Sequence, residues 1–355
     1  MTRFILILVT CLLAISCETK HPELEHFAAA EFNEIAGFTL DELQIGSAER
    51  IVPLGTDRFI VLDRTANRLH EITSQGESAS LRLDLPSGTD ISSIATSREG
   101  ELYVMNAYQG EVHVLSESDE HYWEHQHTIR FEEYVAEMPR RLEVSEENIF
   151  IKSFSHGSVD DGRTTGKLYV FDHDGNPEAD DPVEFPLQDL TRDPMRQSGM
   201  PIPVPFSNTT LLAVNSRGTA FMGWTDELQM TGYSTDGLET FSLSYNLDPV
   251  STESEDLEEW LETMGPELRA TIEAGMPDYL PVMHHLAISN EDEIWIQFQA
   301  TGTSSNTLVF DPDGEPVFKL RIPVNFEIDA IYSDRIIGVE RDGTGTQTVR
   351  LFEVE

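Results

Sequence analysis

The stretch Glu293–Pro323, EIWIQFQATGTSSNTLVFDPDGEPVFKLRIP, reads as three short strands separated by turns. Ile294 to Phe298 and Thr307 to Phe310 are runs of β-branched and aromatic residues, the types that suit a pleated, half-buried surface. Phe310-Asp311-Pro312-Asp313-Gly314-Glu315-Pro316 then turns the chain into a third alternating run. Asp-Gly between two such runs is a strong hairpin signal, because glycine adopts the positive φ that a tight turn demands. Residues 167–177, KLYVFDHDGNP, followed by PVEFPL at 182–187, repeat the second half of this pattern. One such unit cannot bury both of its faces, so it needs neighbours of its own kind.

Working outward, a second strand of strong β formers recurs six times: Phe59–Asp63, Leu102–Asn106, Ile149–Ser153, Ala220–Trp224, Ile294–Phe298 and Arg335–Val339. Third strands follow at Arg68–Thr73, Glu111–Leu115, Lys167–Phe171, Met230–Tyr233, Thr307–Phe310 and Val349–Val354, with Gly76, Gly175, Gly237 and Gly314 in the turns after four of them. Tandem four-stranded units predict an all-β, six-bladed β-propeller over residues 36–355. Second strands are spaced near 42 to 47 residues for the early units and the last, but about 72 into the fourth and the fifth. Extra chain is therefore expected on either side of blade four. Asp189–Asn208 holds Pro194, Pro201, Pro203 and Pro205 and is expected to be a loop over one end of the ring. Residues 251–275 are expected to form a short helical insertion between blades four and five: Leu257, Trp260, Leu261, Met264, Leu268 and Ile272 follow a helical stripe that Gly265-Pro266 breaks in two.

The chain carries 64 acidic against 23 basic residues, a formal net charge of −41. That excess repels phosphate backbones and argues against nucleic acid as a partner. Residues 1–16 read as a signal peptide: Arg3 supplies the positive start, and Phe4 to Ile15 is an apolar run too short to span a bilayer. Leu13-Ala14-Ile15-Ser16-Cys17 resembles the lipobox of bacterial lipoproteins, although Leu13 stands one place further from the cysteine than the family's leucine. The resemblance implies acylation of Cys17, and Glu18 after it lacks the inner-membrane retention signal, which points to the outer membrane. Residues 17–35 are then the lipidated cysteine and a polar tether. With Cys11 removed and Cys17 acylated, the mature domain has no thiol chemistry.

The units resemble six-bladed propellers of the NHL-repeat and TolB-like type found in secreted bacterial lipoproteins, through FIVLDRTANRLHEITSQGE at 59–77 and EIWIQF with TLVFDPDG in 293–314. The last unit ends at Glu355 after its third strand. The resemblance implies that residues 34–43, EIAGFTLDEL, supply the missing fourth strand.

Inner strands line the channel of a propeller, so candidate ligand-binding residues are Arg140 and Arg141 before the inner strand of blade three, His156 after its second strand, and His284 and His285 at the start of the inner strand of blade five. Arginines there suit an anionic ligand. Adjacent strand residues point oppositely, so one member of each pair is expected to face the channel. His121, His125 and His127 would share a face of the outer strand of blade two, an arrangement suited to zinc or copper, but no clustered carboxylate completes the set. Six-bladed lactonases hold calcium with a Glu, two Asn and an Asp. Asp63, Asn67, Asn106 and Asn215 are of the right types, yet turn formation explains Asp63 and Asn67 equally well.

The sequence thus points to an envelope-anchored propeller that binds an envelope protein or a small-molecule ligand, with no catalytic residues assigned. The alternative is a calcium- or zinc-dependent, lactonase-like hydrolase or lyase at the channel mouth. Cys17→Ser is expected to abolish incorporation of labelled fatty acid and to move the chain out of the membrane fraction. Retained label would overturn the lipoprotein expectation.

Overall fold

Six sheets, each of four or five strands and antiparallel apart from a short parallel edge strand on two of them, form the blades of a β-propeller. The computed structural model describes residues 27–135, 137–154, 163–192, 201–203, 207–247, 251, 269–270, 273, 277–298, 304–323, 325–342 and 345–355. The innermost strands are Ala48–Pro53, Ser93–Thr96, Met138–Val144, Thr210–Val214, Met283–Ile288 and Phe326–Tyr332, and each contacts the next round to the first, which closes the ring. The expected second strands at Leu102–Asn106, Ala220–Trp224 and Ile294–Phe298 appear with those bounds; the others are one or two residues longer. Gly76, Gly175, Gly237 and Gly314 all adopt the positive φ their turns require.

The core is not one mass but six wedges, each shared by two neighbouring blades. Between blades one and two, Leu62 and Leu69 meet Ile94, Val104 and the fully buried Trp123. Between blades six and one, Val339, Val349 and Leu351 meet Ile51, Phe59 and Val61. Each large side chain taken fully out of water contributes roughly 1.5–3 kcal/mol. No blade collects that stabilisation without both neighbours.

Ring closure uses both ends of the chain. Phe32–Thr39 pairs antiparallel with Gln347–Val354 as the fourth strand of blade six, and the Phe32 and Phe352 rings stack 3.9 Å apart. The expected strand over 34–43 therefore begins two residues earlier and stops at Thr39. The stop is a capping box: Thr39 Oγ1 accepts from Glu42 N at 3.3 Å, Thr39 N donates to Glu42 Oε2 at 2.8 Å, and Leu40–Leu43 turns into one helical turn. The chain joins the fold well before residue 36. Ala28–Ala29 adds in parallel to the outer strand of blade five, Pro316–Pro323, and Phe27 is buried against Tyr245 and Phe310.

The segment expected as a loop over 189–208 is partly sheet. The outer strand of blade three runs to Arg192, and Pro201–Pro203 pairs with Leu190–Arg192 as a fifth, edge strand, where a proline's missing N–H costs no ladder bond. Most of the helical insertion lies outside the described residues. Arg269, Ala270 and Glu273 are helical, with Arg269 Nε donating to Glu273 Oε1 at 2.6 Å one turn on.

Four innermost strands carry a bulge, at Glu49, Arg140, His284 and Asp329. A bulge re-aims the side chains around it. In blade six it depends on Gly338, which pairs with Ile328 beside the bulge; a Cβ there would run into the Glu327 carbonyl oxygen and the Phe326 ring. Gly338→Ala is expected to lower unfolding stability by about 1–3 kcal/mol, measured by urea denaturation. An unchanged midpoint would show that the bulge tolerates a side chain.

Candidate functional site

An innermost strand pairs on one side only, so its other row of N–H and C=O groups faces the axis and needs partners. Side chains from neighbouring blades supply several. Ile51 N in blade one donates to Asp329 Oδ1 of blade six at 3.4 Å. The His285 ring of blade five bonds the Ile328 backbone. Lys152 Nζ, on the second strand of blade three, donates to the Thr210 carbonyl of blade four at 3.3 Å and lies over the Phe185 ring.

A charged cluster stands on this scaffold. Arg50 Nη2 of blade one donates to both carboxylate oxygens of Glu143 in blade three, at 2.8 and 2.9 Å, and Arg141 Nε donates to Glu143 Oε1 at 2.5 Å. Side-chain exposure is 14% for Arg50 and 17% for Glu143, against 37% for Arg141, so Arg141 presents its guanidinium to the channel. Of the twelve buried side-chain atoms without a hydrogen-bond partner among the described residues, two belong to this group: Arg50 Nε, a donor, and His285 Nε2.

The electrostatics follow from confinement. Desolvation works against the ionised Glu143, but Arg50 and Arg141 outweigh it and hold its carboxyl below the ordinary range. Asp329 goes the other way: desolvation, reinforced by Glu327, pushes it up to about 7 against the pull of Arg50 and Arg141. Desolvation with the nearby Arg141 pushes the Lys152 amine down to about 7. It also pushes His285 down to about 3, so this imidazole is neutral at physiological pH.

Of the residues singled out from the sequence, Arg141 and His285 join the cluster. Arg140 and Arg141 do not precede the inner strand of blade three but lie within it, Met138–Val144. Arg140 occupies the bulge, is exposed, and places its guanidinium 5.5 Å from the Phe154 ring centre. His284 likewise sits on a bulge; its surface is exposed, but the surrounding strands desolvate the ring enough to push it down to about 4, and it lies near His285. His156 and Cys17 fall outside the described residues. Arg50, Glu143, Lys152, Glu327 and Asp329 were missed. A signal was present: AERIVP, MPRRLEV, MHHLAI and FEIDAIY each place ionisable residues mid-strand, whereas SIAT and TLLAV have none. Only alignment of the inner strands exposes it.

The candidate metal ligands do not converge. Asp63 accepts from the backbone N–H groups of Gly46, Ser47, Thr65 and Ala66; Asn67 caps Ile91; Asn106 closes a turn with Gln109; Asn215 caps Thr219. His125 Nε2 lies 2.8 Å from Thr128 Oγ1, while His121 sits in a turn at φ 59° with Nδ1 3.6 Å from Glu71. Among the described residues no group of three or more His, Cys, Asp or Glu side chains could hold a metal ion. The axial cluster does not fit calcium either. Its Glu143 carboxylate is already shared by two guanidiniums, which take up both of its oxygens. Two cavities, of about 670 and 270 Å³, open elsewhere, between the N-terminal segment and blade five and between blades three and four.

No family model and no curated protein matches this chain. Among solved structures, a putative exported protein from Bacteroides fragilis is similar at a TM-score of 0.51 and 11% identity, covering 95% of this chain and 98% of that one. A gluconolactonase from Xanthomonas campestris aligns at a TM-score of 0.48 and 13% identity over 95% and 93%. A calcium-binding protein, regucalcin, from Agrobacterium tumefaciens aligns at 0.44 and 12% over 90% and 94%. At these identities the likeness is one of fold.

Asp329 yields a pH signature. In the folded chain it keeps its proton up to about 7, against an ordinary value of 3.8. The stability it contributes is therefore fully present below the unfolded value and lost as pH rises through the folded one. Asp329→Asn is expected to gain stability relative to the parent chain progressively from about pH 4 to about pH 8, by urea unfolding at each pH. A difference that stays flat with pH would contradict the raised carboxyl.

Proposed function

We propose that this chain is a lipid-anchored protein of the cell envelope, held through Cys17 at the outer membrane, that binds a small ligand at the axis of its propeller without catalysing a reaction. The observation that carries this is the convergence of Arg50, Arg141, Glu143, His285 and Asp329, from blades one, three, five and six, around one unpartnered donor and one unpartnered ring nitrogen. Buried ionic groups cost stability unless fully satisfied, so open hydrogen-bonding capacity beside a solvent-reached arginine is what a binding site holds in reserve. The N-terminal segment supports the anchoring. Phe27 docks at blades four and five ten residues after Cys17, and ten extended residues span at most about 35 Å, which keeps that side of the ring near the bilayer.

A metal-dependent lactonase-like activity has less support, because the axis presents guanidiniums where a cation would have to sit. The test is a thermal-melt panel on the full acylated chain in detergent, using small anions, cations, neutral sugars and calcium. At least one organic class is expected to raise the melting temperature, the rise being lost in Arg141→Ala and kept in Arg130→Ala, a change on the exposed outer strand of blade two. Stabilisation by calcium alone, or a ligand effect indifferent to Arg141, would overturn the proposal.

A further inference from the structure

Glu143 shows what the axis recognises. A carboxylate already lies between the guanidiniums of Arg50 and Arg141, taking two bonds from the first and one from the second. That leaves Arg50 Nε unpartnered, and among the described residues Arg141 makes its one hydrogen bond through Nε, with more than a third of its side chain open to the channel. Planar guanidinium edges of this kind match a second carboxylate. A dianion fits less well, because Glu327 and Asp329 stand on the facing strand and the chain as a whole carries −41.

The groups around Asp329 determine what must happen when an anion enters. Its own strand contributes Glu327; blade one contributes the Ile51 amide and Arg50; blade three contributes Arg141 and Glu143, with Lys152 behind them; blade five contributes His285, which reaches the Ile328 backbone. The inner strands of blades two and four carry no ionisable side chain. An ionised Asp329 therefore competes with any incoming anion for the same two guanidiniums, and like charges at close range in a confined site do not both stay ionised. Among the described residues the Asp329 carboxylate takes one long hydrogen bond, from Ile51, so little beyond the arginines holds it in the ionised form.

Building on the axial-ligand function above, we propose that the site binds a small carboxylate on the open edge of the Arg141 guanidinium, beside the Glu143 carboxylate, and that Asp329 takes up a proton from solvent as the anion enters. The step balances as one carboxylate and one proton bound, with no change of net charge. Binding then weakens as pH rises past the point where Asp329 gives up its proton, by up to about tenfold per pH unit.

The experiment is calorimetric titration of the full acylated chain in detergent with acetate, at about pH 5.5, 7 and 8, in two buffers of different ionisation heat. The expected result is proton uptake near zero at the lowest pH and approaching one per acetate at the highest, with affinity falling about fivefold across the last unit. Asp329→Asn is expected to keep acetate binding and lose both the uptake and the pH dependence, and Arg141→Ala to lose binding. Acetate binding by the parent chain without proton uptake overturns the coupling whether or not either variant folds. Preference for inorganic phosphate overturns the carboxylate class. Axial binding of glucose or methylammonium in place of acetate overturns this inference and leaves the axial-ligand function standing, whereas the absence of any Arg141-dependent ligand removes both.

Discussion

Every blade is a thin sheet with two apolar faces, and neither face is buried by the blade itself. The six wedges of core that result are equivalent in kind, so stability cannot be concentrated in one part of the ring. Leaving one wedge open would expose the buried residues of two blades. That is why the N-terminal strand matters: Phe32–Thr39 completes blade six, and the Phe32–Phe352 stack with the Phe27 anchor at blades four and five ties the start of the chain to its end. Closure also fixes where the first structured residues emerge.

The same closure creates the electrostatic situation at the axis. Six strand edges brought face to face leave a narrow, walled space in which every polar group is partly desolvated. Within it a carboxylate between two guanidiniums is stable only because each supports the others; removing one partner of such a buried set typically costs about 3–5 kcal/mol. A triad of this kind is an uncertain source of net stability, since well-packed apolar residues do as well. It stands beside an unpartnered Arg50 Nε and an Asp329 whose carboxyl desolvation pushes up, so the group is not fully satisfied from within the ring. The surface is strongly acidic, whereas at the axis the two guanidiniums offset the carboxylates of Glu143 and Glu327, so a small anion that reaches the channel meets a less repulsive environment than the exterior presents.

The histidines illustrate how chain-level placement and chemistry part company. His284 and His285 are neighbours on one strand and both rings are held neutral by desolvation, at about 4 and about 3, yet the bulge at His284 leaves its side chain the more exposed and sets only the His285 ring against Arg141. Arg140 and Arg141 divide in the same manner, the first stacking near Phe154 and the second pairing with Glu143. A period-two pattern predicts that one of each pair faces the channel. It does not say which, because a bulge adds a residue and resets the alternation.

By itself the sequence determined the repeat: β formers at regular spacing, Asp-Gly turns and a last unit one strand short are local or short-range features, and they specify six blades, while closure by the N-terminal segment came from the resemblance to closed propellers and is what the fold shows. It also carried the capping signal Thr39-x-x-Glu42 that ends the closing strand. What only the tertiary structure decided is the meeting of Arg50 with Glu143, ninety-three positions apart, and of both with Asp329 from the final blade. Those contacts depend on ring closure and on bulges that one glycine, Gly338, helps to accommodate. A carboxylate near its ordinary value in an exposed strand becomes a proton-holding group when it is desolvated beside Glu327 strongly enough to outweigh Arg50 and Arg141, and that confinement is a property of the closed ring.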